Sequence, residues 1–162
     1  MSDQLTEHFS FDELSRTDHA DFQETNRAQA NSFRAPLLAT AQLLEQIRAW
    51  SGPILVHSGF RCPELNGAIP GHATKSQHML GQACDFSLAG EQTPAAVDKL
   101  FADVRDFLKA HPDIKFGQLI RERLAGPGWV HLSLGYPWRE PDRCGEVLKM
   151  DQGEVTMLEK IG

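Results

Sequence analysis

Cysteine is sparse in this sequence: Cys62, Cys84 and Cys144 are the only three in 162 residues. An odd count with no CxxC pair excludes a four-cysteine zinc site, offers no disulfide framework, and points to reduced thiols. An excess of basic residues is also missing. The formal net charge of −6 argues against a nucleic-acid surface and offers no attraction to anionic membranes or anionic wall polymers. No apolar run is long enough to span a bilayer. The N-terminal residues, from Met1 to His8, lack the basic start and apolar stretch of a secretory signal. The expectation is a monomer made in the cytoplasm, with neither nucleic acid nor membrane as partner. Affinity for any substrate must come from a local site.

The length fits one domain with a real hydrophobic core, and no repeat, linker or low-complexity tract divides residues 1–162. Ser10-Phe-Asp-Glu13 reads as a capping box opening a short helix. Residues 17–34 are polar without a clear period and read as a loop. Leu37, Leu38, Ala41, Leu44, Ile47 and Trp50 recur at helical spacing, so residues 36–50 are expected to form a helix that Gly52-Pro53 ends. Residues 53–57 and 83–87 have strand character. Thr93-Pro94 starts a second amphipathic helix, with Val97, Leu100, Phe101, Val104 and Leu108 on its buried face. Residues 116–122 and 129–134 read as strands joined through Ala125-Gly-Pro-Gly128. The tail suggests one more hairpin over 146–160. These elements predict an α+β fold with helices packed on a small, mainly antiparallel sheet.

Residues 58–82 are dense in Gly, Ser, Pro, Asn and His and follow neither period; a loop of this length in a compact domain is usually functional. It contains Ser76-Gln-His78, with Asp85 just beyond Gly81, while Trp129-Val-His131 lies on the last hairpin strand. Two histidines and a carboxylate are a common ligand set for catalytic zinc. The same residues also suit a packed strand histidine and a turn aspartate, so spacing alone leaves both readings open.

The run Ser58-Gly-Phe-Arg61, Asn66, Ser76-Gln-His78, Gly81, Ala83 and Asp85, followed by Gln118-Leu-Ile120 and Trp129-Val-His131, resembles the zinc D-Ala-D-Ala carboxypeptidase family of metallopeptidases. More narrowly it resembles the small single-domain branch found in bacteria and phages. The likeness runs from about Phe9 to Tyr136 and is densest between Ser58 and Asp85. It implies a DD-peptidase/hedgehog-like fold and one zinc ion per chain on His78, Asp85 and His131. It also implies peptidoglycan stem peptide as substrate, with Arg61 holding a substrate carboxylate or nearby backbone oxygen. A planar guanidinium suits that role because it gives two parallel hydrogen bonds to a carboxylate; a structural salt bridge is the alternative reading of Arg61.

Ser76 and Gln77 flank the first ligand and are candidates to hold its second nitrogen or to touch substrate, although Ser76 equally suits a backbone cap. Trp129 should share a sheet face with His131 and wall the site. His57 and His72 read as packed or solvated rather than as a fourth ligand, and Cys84 reads as core. Gly59 and Gly81 are expected at turns that other residues resist.

One departure matters. Many members of the wider family carry a catalytic carboxylate three residues before the last histidine, where this chain has Gly128. The branch it most resembles has a glutamate after Gln-Leu-Ile, and Glu122 fits that place. If residues 123–128 form the hairpin loop, Glu122 lies opposite Trp129 and Ile120 opposite His131, so Glu122 and His131 share one face. A register slip of one residue would turn Glu122 away, and the alternative reading is a solvated charge between Arg121 and Arg123. Glu140 and Asp142 are the alternatives as base. The sequence leaves carboxypeptidase and endopeptidase action both open. It also admits a zinc-containing cell-wall-binding module without turnover, such as a phage tail component. Without a signal, access to the wall would require a phage particle, lysis or another export route.

Overall fold

In the computed structural model, residues 3–162 are described. Six strands form one sheet: β1 (Ile54–Ser58), β2 (Ala83–Leu88), β3 (Phe116–Arg123), β4 (Trp129–Leu134), β5 (Glu146–Asp151) and β6 (Glu154–Lys160). Their spatial order is β1-β2-β4-β3-β5-β6. All neighbours are antiparallel except β3 and β5, which run parallel because residues 135–145 carry the chain back across the sheet end. This is the α+β architecture expected from the sequence, with an open, mostly antiparallel sheet of the DD-peptidase/hedgehog-like kind.

Helices cover one face. α3 (Arg34–Ser51) and α5 (Pro94–Ala110) pack on each other, α5 against β2, β3 and β4 and α3 against β2 and β4. Leu37, Ala41, Leu44 and Ile47 of α3 meet Val97, Leu100, Phe101, Val104 and Leu108 of α5 in one buried cluster, which also takes Cys84, Phe86, Leu119 and Val147 from the sheet. Two residues of the expected α3 stripe lie outside it: Leu38 and Trp50 are exposed. Trp50 sits at the end of the helix, edge-on to Phe107 with ring centroids 5.6 Å apart. Cys84 is fully buried, as read from strand alternation. No helix among the described residues is long and apolar enough to cross a membrane.

Two stretches expected to be loops contain helices. Residues 17–34 hold α2 (Gln23–Ala30), flanked by single 3-10 turns. Polar anchoring rather than an apolar stripe holds this helix down, which is why no hydrophobic period marks it. The buried Asn26 donates to the carbonyls of Ser15 and Phe60 and accepts from the backbone N–H of Cys62. Within residues 58–82 lie α4 (Pro63–Ala68), started by a proline in its first turn, and a 3-10 turn over Gln77–Leu80. Both are too short to show a period. The short helix α1 (Phe11–Ser15) begins as expected, with the Ser10 hydroxyl accepting from the backbone N–H of Glu13 at 3.1 Å.

Candidate metal centre

The face of the sheet away from α3 and α5 carries the polar residues singled out in the sequence. Asp85 of β2 is paired directly with His131 of β4, and His131 with Ile120 of β3. Directly paired residues share a sheet face, so Asp85 and His131 project side by side. His78 reaches them from the 3-10 turn between α4 and β2. That turn is capped by Ser76, whose hydroxyl accepts from the His78 N–H at 3.3 Å. It ends at Gly81, which has the left-handed φ of +66° that disfavours a side chain. Ser76 thus takes the capping role, while the second ring nitrogen of His78 is held elsewhere.

That nitrogen, Nδ1, lies 2.6 Å from the carbonyl oxygen of Gly59. A carbonyl only accepts, so Nδ1 carries the proton and Nε2 of the neutral ring presents a lone pair. Burial lowers the pKa of His78 further, against the opposing pull of Asp85, which favours the neutral ring that a ligand must be. Gly59 is glycine for reasons of space: a Cβ there would meet the Leu14 backbone oxygen at 2.3 Å. The expectation of a special turn at Gly59 gives way to a close approach between α1 and the loop that orients His78.

The three ligand atoms converge. His78 Nε2 is 3.2 Å from Asp85 Oδ1 and 3.2 Å from His131 Nδ1, and His131 Nδ1 is 2.8 Å from Asp85 Oδ1. All three residues are buried. Ligands about 2.0–2.1 Å from a tetrahedral zinc lie about 3.3 Å from one another, so the triangle has the size of one face of such a site. The chemistry fits as well. A lone pair on His78 Nε2 facing a carboxylate oxygen is two acceptors in contact, and a cation between them removes the conflict. Burial alone would raise the Asp85 carboxyl; the adjoining His78 and His131 outweigh it and hold it well below the usual carboxylate range. Its other oxygen, Oδ2, faces Arg61 Nη2 at 3.5 Å. One oxygen of Asp85 is thereby aimed at the centre and the other tied back, the usual arrangement of a ligand carboxylate.

Arg61 itself is nearly buried, and its Nε–H has no partner among the described residues. Gln77 points along the sheet: its amide nitrogen donates to the Leu134 carbonyl at 2.9 Å, and its oxygen accepts from Arg139 at 2.6 Å. His57 bonds Ser87 Oγ at 2.7 Å and His72 lies exposed with Nδ1 2.8 Å from the Ile69 carbonyl, so neither joins the cluster.

Glu122 pairs with Trp129, one step along from the Ile120–His131 pair, the register expected from the hairpin loop. Alternation puts Glu122, Trp129 and His131 on one face. Position 128 is closed to a carboxylate. Gly128 has φ of +84°, and a Cβ there would meet the Glu122 backbone oxygen at 2.3 Å. The Glu122 side chain is half-buried; desolvation first, then the Asp85 charge, push its pKa up to about 7.

The folded value of about 7 lies above the unfolded 4.5, so the stabilisation from Glu122 is fully present below pH 4.5 and is lost as pH rises through 7. In metal-free protein, Glu122→Gln should match the parent near pH 4 and unfold at higher temperature near pH 8. The gain should be on the order of 1–3 kcal/mol, or several degrees. Thermal melts of both proteins at the two pH values check this; equal melts at pH 8 would contradict it.

A buried two-histidine, one-carboxylate triad on the open face of an α+β sheet has the donor set of a metal centre, one that catalytic zinc commonly uses. The comparison with known families is specific: a profile described as Peptidase M15 matches residues 7–133, and the chain belongs to that family. A search of curated proteins found no match. Family and triad together make the chain a zinc-dependent peptidase acting on peptidoglycan-type substrates. The C-terminal hairpin β5–β6 and the 135–145 connection lie beyond the matched stretch.

Sequence reasoning missed three contributors. The Gly59 carbonyl is a backbone group and leaves no side-chain signal. Asn26 anchors the residues on either side of Arg61 from a stretch that looked like loop. Arg139 crosses the sheet face from a region whose placement depends wholly on tertiary structure.

Proposed function

We propose that the protein hydrolyses peptide bonds of peptidoglycan stem peptides with one zinc ion on His78, Asp85 and His131, Glu122 as general base and Arg61 as substrate anchor. The observation that carries this reading is the convergence of His78 Nε2, Asp85 Oδ1 and His131 Nδ1 within hydrogen-bond distance of one another. When bound, zinc supplies polarisation of the scissile carbonyl and acidification of a water. Glu122 takes the proton of the attacking water at its carboxylate and passes it to the leaving nitrogen. Burial raises the Glu122 carboxyl in the metal-free site, and a dication nearby would pull it back down toward the carboxylate form that a general base must have. Trp129, in register with Glu122, walls the site and limits water around the base. Arg61 holds Asp85 through Nη2, and its remaining N–H groups fix a carboxylate or backbone oxygen of the peptide.

Mass spectrometry of muropeptides incubated with zinc-loaded protein tests this. Loss of one terminal D-alanine identifies a carboxypeptidase, and internal cleavage an endopeptidase. Unchanged muropeptides that nonetheless bind would instead support a wall-binding module.

Arg61→Lys keeps the charge but loses the planar two-bond geometry. It should lower kcat/KM at least about tenfold, the loss expected from one charge-assisted hydrogen bond, with zinc content unchanged. A specificity constant equal to the parent's would make Arg61 purely structural.

A further inference from the structure

The same sheet face carries a second concavity that neither the triad nor the proposed mechanism uses. Arg139 runs over the sheet toward it. Its Nη1 donates to Gln77 at 2.6 Å and its Nη2 lies 3.4 Å from Glu146, which also accepts from Gln118 at 2.8 Å. Gln118 is paired with Glu146 and alternates with Ile120 and Glu122, so this network lies on the metal-centre side. The path is open because residue 117 is glycine: a Cβ there would meet Arg139 Cδ at 2.9 Å and Ser133 Oγ at 2.6 Å.

Beyond Arg139 is a pocket of about 310 Å³ lined by Lys75, Gln77, Tyr136, Trp138, Arg139 and Arg143, with Glu140 as its one acidic wall residue. Gln77 belongs both to this pocket and to the turn that carries His78. Leu134, to which Gln77 is tied, is three residues along β4 from His131, about 10 Å at the rise of a strand. That is the span of about three residues of extended peptide.

Two features of the pocket point to a ligand. Tyr136 is 62% and Trp138 40% exposed, large aromatic surfaces held at the rim of a concavity without a core to fill. With Arg139 paired to Glu146, Lys75 and Arg143 against the single Glu140 still leave the pocket with an excess of positive charge in a chain of net charge −6. Among the described residues neither Lys75 nor Arg143 is ion-paired. Amphipathic aromatic faces suit the C–H faces of sugar rings, and Lys and Arg suit carboxylates.

We propose that this pocket is a remote substrate subsite that binds the acidic, sugar-bearing end of a peptidoglycan glycopeptide while the scissile bond lies at the metal centre. The subsite rests on the peptidoglycan reading of the metal centre, and its test separates the two. Calorimetry of metal-free protein with a soluble disaccharide–pentapeptide should show binding by the parent. Binding should weaken at least about tenfold in Trp138→Ala and in Arg143→Ala, the loss expected when a stacking face or charge-assisted contact is removed. Trp138→Phe, which keeps an aromatic face, should recover most of the affinity. With zinc-loaded protein, the two alanine variants should lose kcat/KM on the glycopeptide but not on an N-acetylated tripeptide lacking sugar. Binding without cleavage would sustain the subsite and remove the catalytic reading. Cleavage of both substrates with no change in either variant, or no binding by the metal-free parent, would overturn the subsite.

Discussion

His131→Ala is expected to leave a folded protein that neither retains zinc nor cleaves muropeptides. The residue supplies one of three converging ligand atoms, with Nδ1 2.8 Å from Asp85 Oδ1 and 3.2 Å from His78 Nε2. Loss of even an outer partner of a metal ligand typically costs about 10–100-fold in affinity, so loss of a ligand should exceed about a hundredfold. His78→Ala should behave alike. Asp85→Ala should also lose stability, because Arg61 would then be left nearly buried without its carboxylate. Elemental analysis after dialysis reads the metal, and thermal melts separate ligand loss from unfolding. Full zinc occupancy in all three variants would reject the ligand set.

The second large effect concerns Glu122. Glu122→Gln preserves size and much hydrogen bonding but removes the group that accepts the proton. General base catalysis contributes roughly a hundred- to ten-thousand-fold, so turnover should fall by at least about a hundredfold while zinc content stays at the parent's level. The same substitution should stabilise the metal-free protein at high pH, since it replaces a carboxyl that burial holds protonated up to about 7. Stability and activity thus move in opposite directions, a pattern that a misfolded variant would not give. Turnover equal to the parent's would pass the role to another carboxylate, with Glu140 and Asp142 next to test.

The sequence made the sheet-forming and core-forming segments legible for a simple reason. α3, α5 and the β3–β4 hairpin bury one side and expose the other, so their apolar residues recur at the period of the element. Even the pairing of Glu122 with Trp129 was readable, because a hairpin loop of fixed length sets the register of its strands. What did not show was structure held by polar contacts. α2 is anchored by one buried asparagine, and the His78 turn by a serine cap and a glycine carbonyl. Neither repeats along the chain, so no period reveals it. The metal-site candidates were recognisable through the order and spacing of family residues, whereas periodicity alone left His131 indistinguishable from a packed strand histidine. The tie between Arg61 and Asp85, and the reach of Arg139 across Gly117, depend on side chains distant in sequence and became visible only in three dimensions.

The proposed peptide hydrolysis requires one metal ion on His78, Asp85 and His131. Its most direct test is a zinc titration of chelated, metal-free protein with muropeptide cleavage followed by mass spectrometry at each step. Cleavage should be absent at the start, rise in proportion to added zinc, and level off at about one equivalent per chain, as for a single three-ligand catalytic site. Cleavage by the metal-free protein at the full rate, or a plateau reached without zinc bound to the triad, would contradict the account.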